Sequence, residues 1–111
     1  MAYIVIHGSL VAHPQVLTAG GREIARLCVQ EAVQWFDEAG VSHLEEGQRH
    51  TVVLSGEDAK LSARLRVGDT VLIDGYSYVE DDSEGGGEGD GRATVSAAHV
   101  GVCLDRISRS L

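Results

Sequence analysis

The chain has 111 residues, of which 43% are hydrophobic, and its 17 acidic and 9 basic side chains give a formal net charge of −8. This length accommodates one compact domain, and the composition is that of a globular protein. Its apolar runs are shorter than the ~20 residues of a membrane span, and the N-terminal residues lack the basic start of a secretory signal. Cys28 and Cys103 lie too far apart in sequence to suggest a disulfide framework or a zinc site, so we expect a cytoplasmic protein without a metal.

The negative charge is concentrated in one segment, residues 80–90, which contains no Lys or Arg. Its six carboxylates belong to Glu80, Asp81, Asp82, Glu84, Glu88 and Asp90. Without them the chain has 11 acidic and 9 basic side chains, a net charge of −2. The body is therefore nearly neutral, and the net charge does not by itself exclude nucleic-acid binding. Because residues 80–91 are also rich in glycine, they are predicted to form a flexible hairpin loop.

The first part of the chain is predicted to form two strands. Residues 3–12 are rich in β-branched and apolar side chains without a helical period, which indicates a strand. Pro14 ends it, since proline cannot donate to a ladder. A turn is predicted at residues 18–21, followed by a second strand over residues 22–30 that carries apolar residues on both faces.

Residues 31–48 allow two interpretations. They could form a short helix that ends at Gly40, or the second strand could continue into one arm of a hairpin. The period of the apolar residues does not decide between them. The next segment, residues 50–54, is a short and nearly continuous apolar strand.

A helix of about ten residues is predicted next, with Ser55 as its N-cap and Asp58 three residues later. Leu61 and Leu65 would share one face of this helix, and Gly68 would end it.

Two more strands complete the predicted domain. They cover residues 70–79, with a bulge or bend at Gly75, and residues 92–104. The order of strand, strand, strand, helix, strand, strand matches the OB-fold, a mainly β, five-stranded Greek-key barrel with one helix between strands 3 and 4. The domain would cover residues 1–105, leaving residues 106–111 as a short tail. This fold alone does not determine a function.

Several short segments carry a more specific resemblance, because they occur in the same order and with similar spacing in one family. The segments are Gly8-Ser9-Leu10 with Pro14 after it, Gly20-Gly21, Ile24-Ala25, residues 50–56 and residues 65–75. Together they cover about residues 3–104, and the chain resembles a divergent member of the bacterial single-stranded DNA-binding proteins. The resemblance implies a cytoplasmic, nucleoid-associated protein that is not an enzyme, needs no cofactor and binds single-stranded DNA in replication, recombination or repair. The family's acidic C-terminal tip is not seen in this sequence, which indicates either a tail-less member or a chain from which the tail has been removed.

Proteins of this family bind single strands by stacking bases on aromatic side chains while basic residues follow the phosphates. Trp35 matches a stacking position of the family. Arg49 and Ser55 stand where the family usually has aromatics, and in the hairpin after Gly75 the aromatic candidates Tyr76 and Tyr78 lead into acidic residues. Since each stack is worth ~1–3 kcal/mol, a weakened affinity is expected. The competing interpretation of Trp35 is packing at the rim of the core.

Basic residues offer partial compensation for the missing aromatics. The Arg49 guanidinium can both stack on a base and pair with a phosphate. The other candidates for phosphate contacts are Arg22, Arg26, Lys60, Arg64 and Arg66.

The resemblance also implies a homo-oligomer, in which dimers pair into tetramers through the first strand and the His50 region. The candidate interface residues are Tyr3, Val5, His7 and His50. His50 could equally be a hydrogen-bonded histidine of the core or surface. A second class of function remains open, a protein-interaction or accessory module that keeps the barrel and has lost DNA binding. The missing aromatics and the acidic hairpin favour it.

Overall fold

The computed structural model describes residues 2–79 and 93–103. Within these ranges the chain forms six strands and one helix. They are, in chain order, β1 (Ala2–Leu10), β2 (Gln15–Ala19), β3 (Arg22–Phe36), β4 (Ser42–Ser55), α1 (Glu57–Ser62), β5 (Thr70–Val79) and β6 (Ala93–Val102). The predicted acidic loop 80–91 and the predicted tail 106–111 lie outside the described residues.

The strands form one sheet in the order β1-β5-β6-β4-β3-β2, and a further pairing between β1 and β3 closes it into a barrel. The short β4–β6 pairing is parallel, whereas β1, β3 and β5 pair with their neighbours in antiparallel fashion. The five barrel strands are β1, β3, β4, β5 and β6, with the helix between the third and the fourth. The predicted fold class, a mainly β barrel with this helix position, is confirmed.

The strand β2 was not predicted. Leu10 of β1 pairs with Val29, and Gln15 of β2 pairs with Arg26, so both strands lie along the same edge of β3. The chain thus continues along β3 after the break at Pro14. All five side chains of β2 are exposed, so the strand has no alternation of buried and exposed residues from which it could be predicted. Gly20 and Gly21, both with positive φ, form the two-residue turn to β3.

The two interpretations of residues 31–48 are resolved in favour of the hairpin arm. β3 continues to Phe36, and β4 begins at Ser42, so these two strands form a long antiparallel ribbon. Between the Gln30–Arg49 pair and the Ala32–Glu46 pair, β3 has one residue and β4 has two, which makes a β-bulge in β4. The part of the ribbon beyond this bulge, residues 32–46, is called the arm below.

The helix is shorter than predicted, and its predicted cap is wrong. It has six residues, its N-cap is Gly56, and no side chain caps it. Ser55 is the last residue of β4. Gly56 has φ 69° and ψ −137°, a conformation that glycine adopts readily, so the backbone itself turns from strand to helix at this residue. Leu65 is buried but lies beyond the helix, whereas Leu61 is half exposed.

The barrel interior is filled by aliphatic side chains and closes tightly at two glycines. The largest fully buried side chains are those of Ile6, Leu10, Leu27, Val29, Val52, Val71, Ile73 and Val95. A Cβ atom at Gly8 would clash with the backbone carbonyl of Gln30, and one at Gly75 would clash with that of Ser96. The register of β5 against β6 also shifts between Asp74 and Gly75, but the extra residue is Ala98, so the bulge lies in β6 opposite Gly75 and not in the predicted strand itself.

Candidate nucleic-acid interface

The β3–β4 ribbon presents three of the predicted basic residues on one face. Because the extra residue of the bulge lies in β4, the alternation of side chains along β3 is unbroken. Arg22 and Arg26 therefore share a face with Gln30, and Arg49 is the cross-strand partner of Gln30. All three arginines are exposed, and we call this surface the arginine face. At ~3.3 Å per residue, successive positions along it are ~13 Å apart.

Hydrogen bonds position Arg49 at the start of the arm. Its Nε donates to Oε1 of Gln30 at 3.3 Å, while Nε2 of Gln30 donates to the carbonyl of Gly47 at 2.8 Å. Gln30 therefore links the guanidinium of Arg49 to the bulge. A guanidinium has five N–H donors, of which this contact with Gln30 uses one.

Trp35 lies on the other face of the ribbon. By alternation it follows Val33, and its direct cross-strand partner is His43. The indole is 41% exposed and stacks on the imidazole, with ring centroids 4.4 Å apart and an angle of 18° between the planes. The structure therefore places Trp35 in the exposed arm rather than in the barrel core, and it does not place Trp35 and Arg49 on the same face.

Asp37 organises the turn at the tip of the arm. One of its carboxylate oxygens accepts hydrogen bonds from the backbone N–H groups of Ala39 and Val41, each at 2.9 Å. The other lies 2.8 Å from Nε2 of His43. The pKa of Asp37 is lowered, chiefly by the hydrogen bond with His43 and further by the backbone hydrogen bond from Val41. Sequence reasoning missed the role of His43, because its pairing with Trp35 depends on the register of the hairpin.

The remaining basic candidates lie at the end of the barrel where β4 ends, far along the ribbon from Trp35. Lys60 is in α1, and Arg64 and Arg66 follow it. Gly56 is the N-cap of α1, and its backbone N–H donates to the carbonyl of Glu23, which is the second residue of β3. The three cations are exposed, but they do not lie beside Trp35.

The predicted aromatic candidates of β5 lie on a different surface. Tyr76 is the cross-strand partner of Tyr3, and their rings meet edge to face with centroids 5.7 Å apart. Tyr78 is two residues further along the same face of β5 and is half-buried. The structure thus brings Tyr76 together with the residues predicted for an oligomer interface and not with Trp35.

That surface, called the β1–β5 face, is largely apolar and exposed. Cross-strand pairs join Val5 to Asp74 and His7 to Leu72. Its exposed residues with their exposed fractions are Tyr3 (59%), Val5 (53%), Leu72 (50%) and Tyr76 (48%). Surface of this kind is typical of sites that contact another protein.

Asp74 anchors the polar part of the β1–β5 face. Its carboxylate accepts a hydrogen bond from the Tyr3 hydroxyl at 2.8 Å, and its other oxygen lies 2.8 Å from Nδ1 of His99. The pKa of Asp74 is lowered, chiefly by the hydrogen bond from Tyr3 and also by His99. The same hydrogen bond raises the pKa of Tyr3.

One edge of β1 has no strand beside it among the described residues. β1 pairs with β5 from Ala2 to Ser9, but with β3 only from Gly8 to Leu10. Along residues 2–7 the second edge therefore presents backbone N–H and C=O groups that could pair with another strand.

His50 is buried rather than displayed on the surface. Its side chain is 4% exposed and its Nε2 lies 3.1 Å from Oε2 of Glu31, which is itself 26% exposed. Its strand partner is Val29, a core residue. This contact hydrogen-bonds His50 within its own chain, and its role in an oligomer interface stays a prediction.

The described residues offer neither a helix for a membrane span nor a cluster of side chains for a metal ion. Among residues 2–79 and 93–103, no helix has the length and apolar character needed to cross a membrane. In the same ranges no three His, Cys, Asp or Glu side chains are placed to hold a metal ion. Cys28 and Cys103 are unpaired thiols and half-buried.

Comparison with known proteins gives matches in structure but not in sequence. The chain matches no family model and no curated protein. It is similar in structure to the small single-stranded DNA-binding protein of Streptomyces coelicolor, with a TM-score of 0.75 and 21% identity over 95% of each chain. The second single-stranded DNA-binding protein of Mycobacterium smegmatis has a TM-score of 0.66 and 24% identity, over 94% of this chain and 90% of that one. The protein priB of Ralstonia solanacearum has a TM-score of 0.66 and 13% identity, over 93% and 99%. The chain therefore has the OB-fold of the bacterial single-stranded DNA-binding proteins, as its sequence resemblance implied.

Proposed function

We propose that this chain binds single-stranded DNA without sequence preference and without catalysing a reaction, in replication, recombination or repair. Such a protein would work in the cytoplasm, in association with the nucleoid. The observation that carries the proposal is a half-exposed tryptophan on the arm of a ribbon whose other face carries three exposed arginines. Aromatic side chains and cations are the two elements that sequence-tolerant single-strand binding requires. The similarity in fold to proteins described as single-stranded DNA-binding supports it.

The arginine face and Trp35 would contact different parts of the nucleic acid. The arginine face would pair with phosphates along the length of β3, and Trp35 would stack on one base. Because Trp35 lies on the other face of the ribbon, a strand that has followed the arginines to Arg49 must cross an edge of the arm to reach the indole.

We infer that the affinity is weakened relative to a site with a full set of aromatics. Arg49 and Ser55 are side chains that offer no aromatic ring, and each lost stack removes ~1–3 kcal/mol. The net charge of −8 adds a general repulsion of DNA. Binding should accordingly be most evident at low salt.

Trp35 provides the direct test, since it is the only tryptophan in the sequence. Addition of oligo-dT should quench its fluorescence, and Trp35→Ala should weaken binding by ~1–3 kcal/mol, or about 5- to 150-fold in Kd. The measurement is a fluorescence titration at low and moderate salt, with labelled oligonucleotide for the variant. Val33→Ala is the matched control, because Val33 is 40% exposed on the same face of the same arm and has no ring to stack on a base.

Two results would contradict this proposal. Unchanged tryptophan emission at saturating oligonucleotide would show that the indole does not meet a base. A folded protein that binds no oligonucleotide even at low salt would favour the second candidate function, a protein-interaction or accessory module. The exposed apolar side chains of Phe36 and Leu44 on the arm favour that candidate, because they could pack against a protein partner.

We also propose that the chain forms a homo-oligomer through β1. The open edge of residues 2–7 can pair with a second copy, and the β1–β5 face offers apolar surface beside it. Dimers and tetramers are both compatible with these two surfaces, since a copy can use the open edge of β1 without the β1–β5 face, or the face without the edge.

Replacing Val5 by Lys should shift the assembly towards the monomer. The substitution places a strongly hydrated ammonium group in the middle of the apolar β1–β5 face, where burial against a second copy would cost desolvation free energy even with Asp74 opposite it. Sedimentation of the wild type and the variant at micromolar concentration measures the effect. Leu17→Lys is the control, since Leu17 is similarly exposed (49%) but lies on β2. A wild-type protein that sediments as a monomer at this concentration would refute the assembly.

A further inference from the structure

The tip of the arm holds the indole of Trp35 in a fixed arrangement. His43 covers one face of the ring at a centroid distance of 4.4 Å, and its own orientation is set by Asp37, 2.8 Å from Nε2. Asp37 is in turn fixed by the backbone N–H groups of Ala39 and Val41. The chain of contacts from the turn through Asp37 and His43 to Trp35 thus restricts the indole before any ligand is present.

The charges around the stacked pair bear on how nucleic acid can approach. Two carboxylates flank the rings, that of Asp37 in the turn and that of Glu45 on the same face of β4 as His43. The indole itself is uncharged and 41% exposed. Phosphates are repelled by these carboxylates, whereas a base is not, so a strand would meet Trp35 with a base rather than with its backbone.

We propose that His43, held by Asp37, is a positioning residue for Trp35, covering one face of the indole so that the opposite face is presented to a single base. This inference rests on the proposed single-strand binding and names how its stacking residue is prepared. A side chain that is already ordered loses less freedom when a ligand binds, a gain of about 2- to 10-fold in Kd for one side chain.

The test compares His43→Ala with the wild type in two measurements. In the free protein, acrylamide should quench Trp35 more strongly in the variant, because both faces of the indole become accessible. With oligo-dT at low salt, the variant should bind about 2- to 10-fold more weakly. His43→Phe should recover part of both effects, since its ring can stack on Trp35 although it cannot bond to Asp37.

Gln34→Ala is the matched control for a general loosening of the arm. Nε2 of Gln34 donates to Oγ of Ser42 at 2.7 Å, across the same two strands but on the face opposite His43. The Gln34→Ala substitution should leave acrylamide quenching of Trp35 and the affinity for oligo-dT unchanged. Equal effects from Gln34→Ala and His43→Ala would reduce the role of His43 to that of an ordinary cross-strand contact.

The outcomes separate this inference from the proposed function. If the wild type binds oligo-dT and His43→Ala binds equally well or more tightly, the positioning role is wrong while single-strand binding stands. If the acrylamide measurement shows no change in His43→Ala, the stack does not restrict the indole, and the inference is again wrong. If the wild type binds no oligonucleotide, single-strand binding fails, and the positioning role fails with it.

Discussion

Replacing Arg22, Arg26 and Arg49 together by alanine should greatly weaken oligo-dT binding at low salt and flatten its salt dependence. Each phosphate that a cation neutralises contributes about 0.7 to the slope of log K against log salt for a single strand, so three contacts account for about 2. A slope change of 2 means that the loss of affinity at 0.05 M salt exceeds the loss at 0.5 M by about 100-fold. Titrations at four or five salt concentrations measure both quantities.

The matched control removes the same amount of charge elsewhere. Lys60, Arg64 and Arg66, replaced together by alanine, also lower the net charge by three, but these residues lie around α1. If the strand follows the arginine face, this second triple variant should retain most of the salt slope. An equal loss in both triple variants would indicate that general charge, or a path over the helix, governs binding instead.

Gly8→Ala and Gly75→Ala should each destabilise the barrel by about 3 kcal/mol. The added methyl group would meet a backbone carbonyl, that of Gln30 or that of Ser96, and a strand backbone cannot move aside without loss of its ladder hydrogen bonds. Gly8 lies where β1 meets β3, so its substitution should act on the closure of the barrel. Urea unfolding followed by circular dichroism measures the change.

Gly101→Ala is the control for these two substitutions. Gly101 also lies in a strand, but the nearest atom to an added Cβ would be the Leu72 carbonyl oxygen at 3.9 Å, an ordinary contact. Alanine is entropically favoured over glycine within a strand, so this variant should be as stable as the wild type or slightly more stable. A comparable loss in all three variants would mean that close approach of the strands is not the cause.

The barrel could be predicted from the sequence because its core strands carry runs of apolar and β-branched residues, as burial requires. Residues such as Ile73 and Val52 face a continuous interior, and the glycines of the resemblance, Gly8 and Gly75, mark two places where a Cβ atom would clash with the backbone of the neighbouring strand. By contrast, all side chains of β2 are exposed, so no apolar period marks it as a strand. The arm carries apolar side chains on both faces, so the apolar period does not distinguish a strand from a helix there.

The sequence suggested the candidate site residues one by one, but it did not give their arrangement. Trp35 and the arginines were identified from residue type and from the family's spacing. Arg22 and Arg26 lie on the opposite face from Trp35 by simple alternation along β3. By contrast, the placement of Arg49 beside Gln30 and of His43 beside Trp35 follows from the bulge opposite Glu31 and from the hairpin register. The assignment of Tyr76 to the β1–β5 face likewise depends on the pairing of β5 with β1. Such long-range pairings leave no local trace in a sequence.

The pairing of β1 also affects how the chain is made in the cell. β1 leaves the ribosome before the other strands of the barrel, yet its main partner is β5, so Ile6 meets Ile73 only after most of the domain has been synthesised. At ~5–20 residues per second, this leaves the first strand without that partner for several seconds. During this time the edge of this apolar strand that will pair with β5 is exposed to other nascent chains, so the yield of native protein should depend on translation speed and on chaperones that shield β1.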